Sequence, residues 1–252
     1  MTEVLVEIAD LVAVVTLNRP ARRNAISASL LTSLREVLAD VDGRPDVRAI
    51  VLTGADPAFC AGLDLAELGQ PGGALSGVAS STVIGDLSRP LIGAVNGPAV
   101  TGGLELALAC DLLIASERAS FADTHARIGV LPGWGLTVAL PEAVGLRRAR
   151  EMSATGNFIS ARTALEWGLV NHVVPHDDLL DFSRRLAADM ATTDSDALAA
   201  IFATYDQGAL VTGREARRIE ARAHARWHSG GIDAGQVASR REAVIKRGRS
   251  QR

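Results

Sequence analysis

The chain has 252 residues, 48% of them hydrophobic and 22% charged, the balance of a folded protein and not of a disordered one. Its 26 Lys+Arg against 29 Asp+Glu give a formal charge of -3, which leaves no cationic surplus for tracking a phosphate backbone and sets nucleic acid aside as a partner. No run approaches the roughly 20 apolar residues of a membrane span, and Met1-Thr2-Glu3 lacks an export signature, so we expect a cytoplasmic protein with no membrane partner.

Two β runs open the chain, Val4 to Ile8 and Val12 to Leu17, with turn chemistry at Ala9-Asp10 between them, and they read as a hairpin. From Ser27, a good N-cap type, Leu30, Leu31, Leu34, Val37, Leu38 and Val41 recur at helical spacing until Gly43 and Pro45 stop the pattern. The apolar runs Ala49 to Leu52 and Leu91 to Val95 end in Thr53-Gly54 and Asn96-Gly97, which predicts buried strands feeding glycine-rich turns. The second turn leads into an apolar helix over Gly103 to Ala109 and then a strand over Leu112 to Ala115, so strand, turn and helix repeat.

Residues Gly69 to Gly85, rich in Gly, Ser and Ala, read as a mobile loop. After about residue 195 the composition shifts to Ala and Arg, and Ile219, Ala223 and Trp227 fall on one helical face. We therefore expect a core over residues 1–195 followed by a C-terminal helical segment over residues 196–252.

Several chemistries fall away. Cys60 and Cys110 are too few for a disulfide framework or a cysteine-built zinc site. Lys246 is the single lysine, which excludes a phosphate-binding loop of the G-x-x-x-x-G-K-[ST] type and an interior Schiff base. No G-x-S-x-G, H-E-x-x-H or G-x-G-x-x-G occurs. His224 and His228 lie four apart but have no third ligand nearby, so no metal is expected, and His172 and His176 read as surface residues.

The informative segments are Phe59-Cys60-Ala61-Gly62-Leu63-Asp64-Leu65 and the stretch from Asn96-Gly97-Pro98 through Thr101-Gly102-Gly103-Leu104-Glu105. Each is a small-residue turn leading into a helix, which leaves backbone N–H groups unpaired at the helix start. Two such groups can converge on one oxygen and stabilise charge that develops there in a transition state. Glu105, in the first turn of its helix between Leu104 and Leu106, would cost several kcal/mol to bury unpaired, which argues for a chemical purpose.

These residues carry a resemblance to the crotonase family, also called the enoyl-CoA hydratase/isomerase family. It extends over Leu17-Asn18-Arg19-Pro20 with Asn24-Ala25-Ile26-Ser27, both segments above, Pro132-Gly133-Trp134-Gly135, and Ala164-Leu165-Glu166-Trp167-Gly168-Leu169-Val170. The resemblance implies an α/β fold, a crotonase-type repeated ββα superhelix core with a C-terminal helical segment. It also implies an acyl-CoA thioester as the small-molecule partner, with no cofactor beyond the coenzyme A of the substrate itself. The thioester carbonyl would lie between the peptide N–H groups of Leu63 and Gly102, with Cys60, Ala61, Gly62, Asp64, Gly103 and Trp134 around the substrate and Arg22 at the anionic nucleotide end.

Glu105 matches the first catalytic glutamate of family hydratases, whereas the second falls on His125. Histidine can donate or accept a proton near neutral pH, and Asp123 stands two residues earlier as a further carboxylate. The activity implied is addition of water to a 2-enoyl-CoA to give a 3-hydroxyacyl-CoA. Double-bond isomerisation, or acyl-CoA binding without catalysis, are the alternatives that the missing glutamate leaves open. Homotrimers or hexamers built as dimers of trimers are implied by the same resemblance.

Overall fold

Strands β1 (Val4–Ala9) and β2 (Val12–Leu17) pair antiparallel across Asp10 and Leu11. Both turn residues have positive φ, 52° and 64°, as a two-residue hairpin turn matched to the strand twist requires. In the computed structural model the described residues are 2–68 and 83–202, with a few single positions beyond. Along the chain follow α1 (Ala28–Asp42), β3 (Ala49–Gly54), α2 (Leu65–Leu68), β4 (Leu91–Val95), β5 (Pro98–Val100), α3 (Gly102–Leu108), β6 (Leu112–Ser116) and β7 (Ser120–Ala122). Then come α4 (His125–Ile128), α5 (Leu136–Val144), α6 (Leu146–Thr155), β8 (Ile159–Ser160), α7 (Ala161–Trp167), β9 (His172–Val174) and α8 (Leu179–Ala191).

The larger sheet runs β1-β2-β3-β4-β6-β9 and is parallel everywhere after the hairpin. A parallel sheet is covered on both faces, so its strands read as unbroken apolar runs. Here Val12, Val14, Ala49, Val51, Ile92, Ala94 and Ile114 meet Leu179 and Ala187 of α8. The alternate residues, among them Ala13, Val15, Ile50, Leu52 and Val95, share the other apolar cluster with Leu30, Leu34 and Leu38 of α1. All six residues of β3 are buried, and truncating one of its large side chains, such as Leu52→Ala, would cost about 2–5 kcal/mol.

Ser27 caps α1 as its residue type predicts, its hydroxyl accepting the Leu30 N–H at 3.1 Å. A second orphan donor, the Ala28 N–H, goes to Glu67 Oε2 at 2.9 Å, which ties α1 to α2.

Two residues, Asn96 and Gly97, separate β4 from β5, so the chain changes sheet in one step and enters the smaller sheet β5-β7-β8. A Cβ on Gly97 would stand 2.6 Å from the Pro57 carbonyl oxygen, which only glycine avoids. From there the chain runs directly into α3, where the candidate site lies.

At the carboxyl edge of the larger sheet one chain of hydrogen bonds crosses four adjacent strand ends. Asn96 Nδ2 donates to Asp56 Oδ1 at 2.8 Å, His176 Nε2 meets Asp56 Oδ2 at 3.0 Å, and His176 Nδ1 meets Ser116 Oγ at 3.0 Å. Partial burial would raise the Asp56 carboxyl, but the Asn96 and His176 bonds hold it below its usual range. The surface reading of His176 is therefore corrected: its side chain is only 12% exposed, because the Asp56 and Ser116 bonds draw it inward. His172 is exposed, with its ring 5.1 Å from that of Phe182.

Among the described residues, no helix is long and apolar enough to cross a membrane, and no three His, Cys, Asp or Glu side chains gather as a metal site would require. The expected loop falls outside the described residues from 69 to 82, as do Ile219, Ala223, Trp227, His224 and His228. Most of the expected C-terminal segment, residues 196–252, lies outside them too.

Candidate active site

Thr101 turns the chain from β5 into α3 with φ 56° and ψ -112°. Positive φ at a β-branched residue is strained, typically by about 1–3 kcal/mol, and persists only where its surroundings hold it. The Thr101 N–H donates to Ala122 O at 2.9 Å. Its hydroxyl accepts the Thr124 N–H at 3.2 Å and meets the Thr124 hydroxyl at 2.5 Å. Glu105 N–H to Thr101 O, at 3.0 Å, is the first bond of the helix, so the N–H groups of Gly102, Gly103 and Leu104 open α3 without an intrahelical acceptor.

The turn from Phe59 to Leu65 approaches the same place from the other side. Cys60 N–H donates to Pro98 O at 3.1 Å and Val100 N–H to Cys60 O at 3.0 Å, which lays the turn along β5. Two residues on, Ile26 N–H donates to Gly62 O and Asp64 N–H to Ile26 O, both at 2.8 Å. In a parallel bridge of this kind the intervening Leu63 N–H is directed away from Ile26. It lies on the side of α3: the position a Cβ on Gly102 would take is 3.5 Å from Leu63 N and 3.2 Å from Trp134 Cζ3. Leu63 and Gly102 therefore flank one small space, with the Trp134 ring as a wall.

Glycine is required at two points of this arrangement. Gly62 has φ +93°, and a Cβ there would come 2.8 Å from Val100 O. A Cβ on Gly103 would fall 2.0 Å from Cys60 O.

Glu105 lies three residues after Gly102, on the same side of α3. It is 3% exposed, and both carboxylate oxygens are occupied: Oε1 accepts the Trp134 N–H at 2.8 Å, and Oε2 is 3.5 Å from His125 Nε2. His125 in turn presents Nδ1 to Asp123 Oδ1 at 2.7 Å, and the same oxygen accepts the His125 backbone N–H at 3.1 Å. Burial alone would lower the His125 pKa, but the hydrogen bonds and charges of Asp123 and Glu105 outweigh it and take the value up to about 9. Burial likewise acts to raise the Asp123 carboxyl, and the bonds from His125 and Ser153 hold it below its ordinary range. The His125 imidazole thus stands between the Asp123 and Glu105 carboxyl groups, which favour its protonated form.

The spacing of Asp123 and His125 suggests strand alternation as the way to bring them to one side. Instead β7 ends at Ala122 and α4 begins at His125, and a turn folds the Asp123 side chain back onto the residue two ahead of it, a local pattern common for Asp.

The remaining residues expected around a substrate divide. Trp134 borders the space beside Gly102, and Ala61, half-buried, donates its N–H to Arg23 O at 3.0 Å. Arg22 is exposed at the end of a 3-10 turn, next in sequence to that acceptor. Cys60 serves as scaffold for the turn. Its side chain is fully buried, its N–H and carbonyl are both committed to β5, and burial pushes its thiol up to about 12. Asp64 is also scaffold, 3.2 Å from Arg19 and accepting the Ala66 N–H, and Gly103 is a close-approach residue against Cys60.

Sequence reasoning passed over Thr101, Thr124 and Asn24. Asn24 is fully buried at φ 54°, accepts the Arg19 N–H at 2.9 Å, and donates to Ala55 O at 2.8 Å and Ala58 O at 2.7 Å, anchoring the Cys60 turn. Its signal was present: asparagine tolerates positive φ better than other residues with a side chain.

A buried chain of titratable side chains thus stands beside two amides from separate turns, an arrangement able to stabilise an oxyanion and to move protons. The sequence model of the family described as "Enoyl-CoA hydratase/isomerase" matches residues 7–234. The chain belongs to the enoyl-CoA hydratase/isomerase family. It is 35% identical over 241 residues to the "Probable enoyl-CoA hydratase 1, peroxisomal" of Arabidopsis thaliana, covering 94% of this chain and 90% of that protein. It is 40% identical over 199 residues to the "(E)-benzylidenesuccinyl-CoA hydratase" of Thauera aromatica, covering 75% and 76%. Among solved structures, the enoyl-CoA hydratase from Mycobacterium smegmatis superposes with a TM-score of 0.84 at 47% identity, over 91% of this chain and 100% of that one. These neighbours bear out the crotonase fold expected from the sequence.

Proposed function

We propose that the chain is an enoyl-CoA hydratase, adding water across the 2,3 double bond of an acyl-CoA thioester to give the 3-hydroxyacyl-CoA. The observation that carries this reading is the buried contact of Glu105 with His125, beside the space flanked by Leu63 and Gly102. The thioester oxygen accepts the Leu63 and Gly102 N–H groups, which stabilise the enolate formed as water attacks; each such donor is worth about 10²–10³ in rate. Glu105 takes a proton from the water and His125 completes the transfer at the α-carbon. Hydratases among the similar proteins support the same reaction.

Isomerisation shuttles one proton between carbons and needs only Glu105; a second buried acid–base group in contact with it favours hydration. A protein that binds acyl-CoA without turning it over would need neither group. Purified protein incubated with crotonyl-CoA should remove the conjugated-enoyl absorbance, and Glu105→Gln should abolish most of that rate. Equal inertness of both proteins with CoA binding retained would overturn the assignment.

On this reading the enzyme uses no cofactor beyond the CoA of its substrate, with Arg22 at the nucleotide end. The family resemblance supports a homotrimer, or a hexamer as a dimer of trimers, with residues 196–252 as the oligomerisation segment.

A further inference from the structure

We propose that Asp123 is a positioning residue that joins His125 in a neutral, proton-donating pair, standing in for the second glutamic acid of family hydratases. The inference rests on the hydratase reading above. A carboxylic acid that gives up a proton in a buried site is neutral before it does so, and that neutrality makes it tolerable there. An imidazolium alone is not neutral. His125 is 4% exposed, and a lone cation at that depth would lose its proton instead of keeping one to donate. Asp123 cancels the charge, so the two residues together carry no net charge and one transferable proton, as a glutamic acid does.

The geometry also fixes which nitrogen does the work. Oδ1 of Asp123 accepts from both the His125 backbone N–H and the ring Nδ1, at 3.1 and 2.7 Å. One oxygen thereby locks the ring to its own main chain and keeps Nδ1 protonated, which leaves Nε2 directed at Glu105 Oε2, 3.5 Å away. The charged groups facing the ring are Glu105 from α3 and Asp123 from the turn before α4, while Ser153 of α6 hydrogen-bonds Asp123 from behind. Arg127, the other charged residue of α4, is exposed and donates to Thr155 O.

The cycle balances. As the water oxygen bonds to the β-carbon, Glu105 accepts the released proton. The enolate collapses, and the Nε2 proton passes to the α-carbon, leaving neutral His125. Glu105 then returns its proton across the contact to Nε2, so the substrate has gained one water and the enzyme is unchanged.

The test is Asp123→Asn assayed with crotonyl-CoA from pH 6 to 10, beside the wild type and Asp123→Glu. We expect kcat to fall by about 10²–10⁴-fold in Asp123→Asn, with KM within about threefold. The falling limb of the wild-type profile, expected near pH 9, should move to lower pH, and Asp123→Glu should restore much of both. An Asp123→Asn enzyme with the wild-type rate and limb overturns the proposal and leaves the hydratase reading standing; an inert wild type defeats both. If Asp123→Asn does not fold, histidine-ring NMR of the wild type decides. A His125 signal, assigned by its loss in His125→Gln, that holds its proton to about pH 9 supports the pair, and one titrating near the ordinary 6.5 overturns it.

Discussion

Glu105 and His125 meet side chain to side chain, Oε2 to Nε2 at 3.5 Å, where each side chain is no more than 5% exposed. Their contact joins α3 to α4, and neither has water to stabilise its charge, so each depends on the other and on the groups behind it. The consequence for Glu105→Gln is a loss of rate with retention of fold. The amide oxygen can still accept the Trp134 N–H, but the amide cannot take a proton from water. We expect kcat with crotonyl-CoA to drop by about 10²–10⁴-fold with KM within about threefold, measured from the enoyl absorbance.

The adjacent glycines should fail in opposite ways. A Cβ on Gly102 enters the space between the Leu63 amide and the Trp134 ring, with no backbone atom closer than 3.5 Å. Gly102→Ala should fold, with a stability change of about 1 kcal/mol or less, while kcat/KM falls by about 10²–10³-fold. A Cβ on Gly103 meets the Cys60 carbonyl at 2.0 Å, and main chain cannot step aside. Gly103→Ala should cost more than about 3 kcal/mol. Thermal unfolding and the crotonyl-CoA assay on both variants separate the two effects, and a stable, active Gly102→Ala would refute the role given to that space.

Stability should fall with pH in two separate windows. The His125 pKa is raised from 6.5 to about 9, so its contribution is fully present below 6.5 and is lost as pH rises through 9. Burial raises the Cys60 thiol from 9.0 to about 12, so its contribution is lost only above 9. Urea unfolding followed from pH 6 to 11 should show both declines. His125→Gln should flatten the lower window and leave the upper one.

Thr101→Val keeps the shape of the residue and removes its hydroxyl. The Thr124 N–H and hydroxyl, both buried, then lose their partner, at a cost of about 1–3 kcal/mol. With one of its restraints gone, the residue at φ 56° should relax and shift the start of α3, so kcat should fall while affinity for CoA holds. Calorimetry with free CoA, set beside the kinetics, checks the split.

The sequence carried much of this molecule because its strongest signals are local. Leu30 through Val41 announce α1 by period, Ser27 announces its start, and the apolar runs of β3 and β4 announce a sheet covered on both faces. Glu105 was legible because a carboxylate among leucines calls for a reason. The pairing of Asp123 with His125 was visible as spacing, but its geometry depends on β7 stopping at Ala122. Thr101 was opaque, since nothing in its side chain favours the conformation that its neighbours impose. The surface reading of His176 failed for a related reason. Proximity in sequence to a proline does not say which atoms long-range partners have already claimed.

The relay from Asn96 through Asp56 and His176 to Ser116 runs perpendicular to the strands and stitches the ends of β3, β4, β6 and β9 into one seam. Because the crossing that leads to α3 begins at Asn96, any fraying of that seam would be felt at the start of the helix that holds Glu105. The rigidity of the Glu105 site is therefore borrowed in part from side chains that lie outside it.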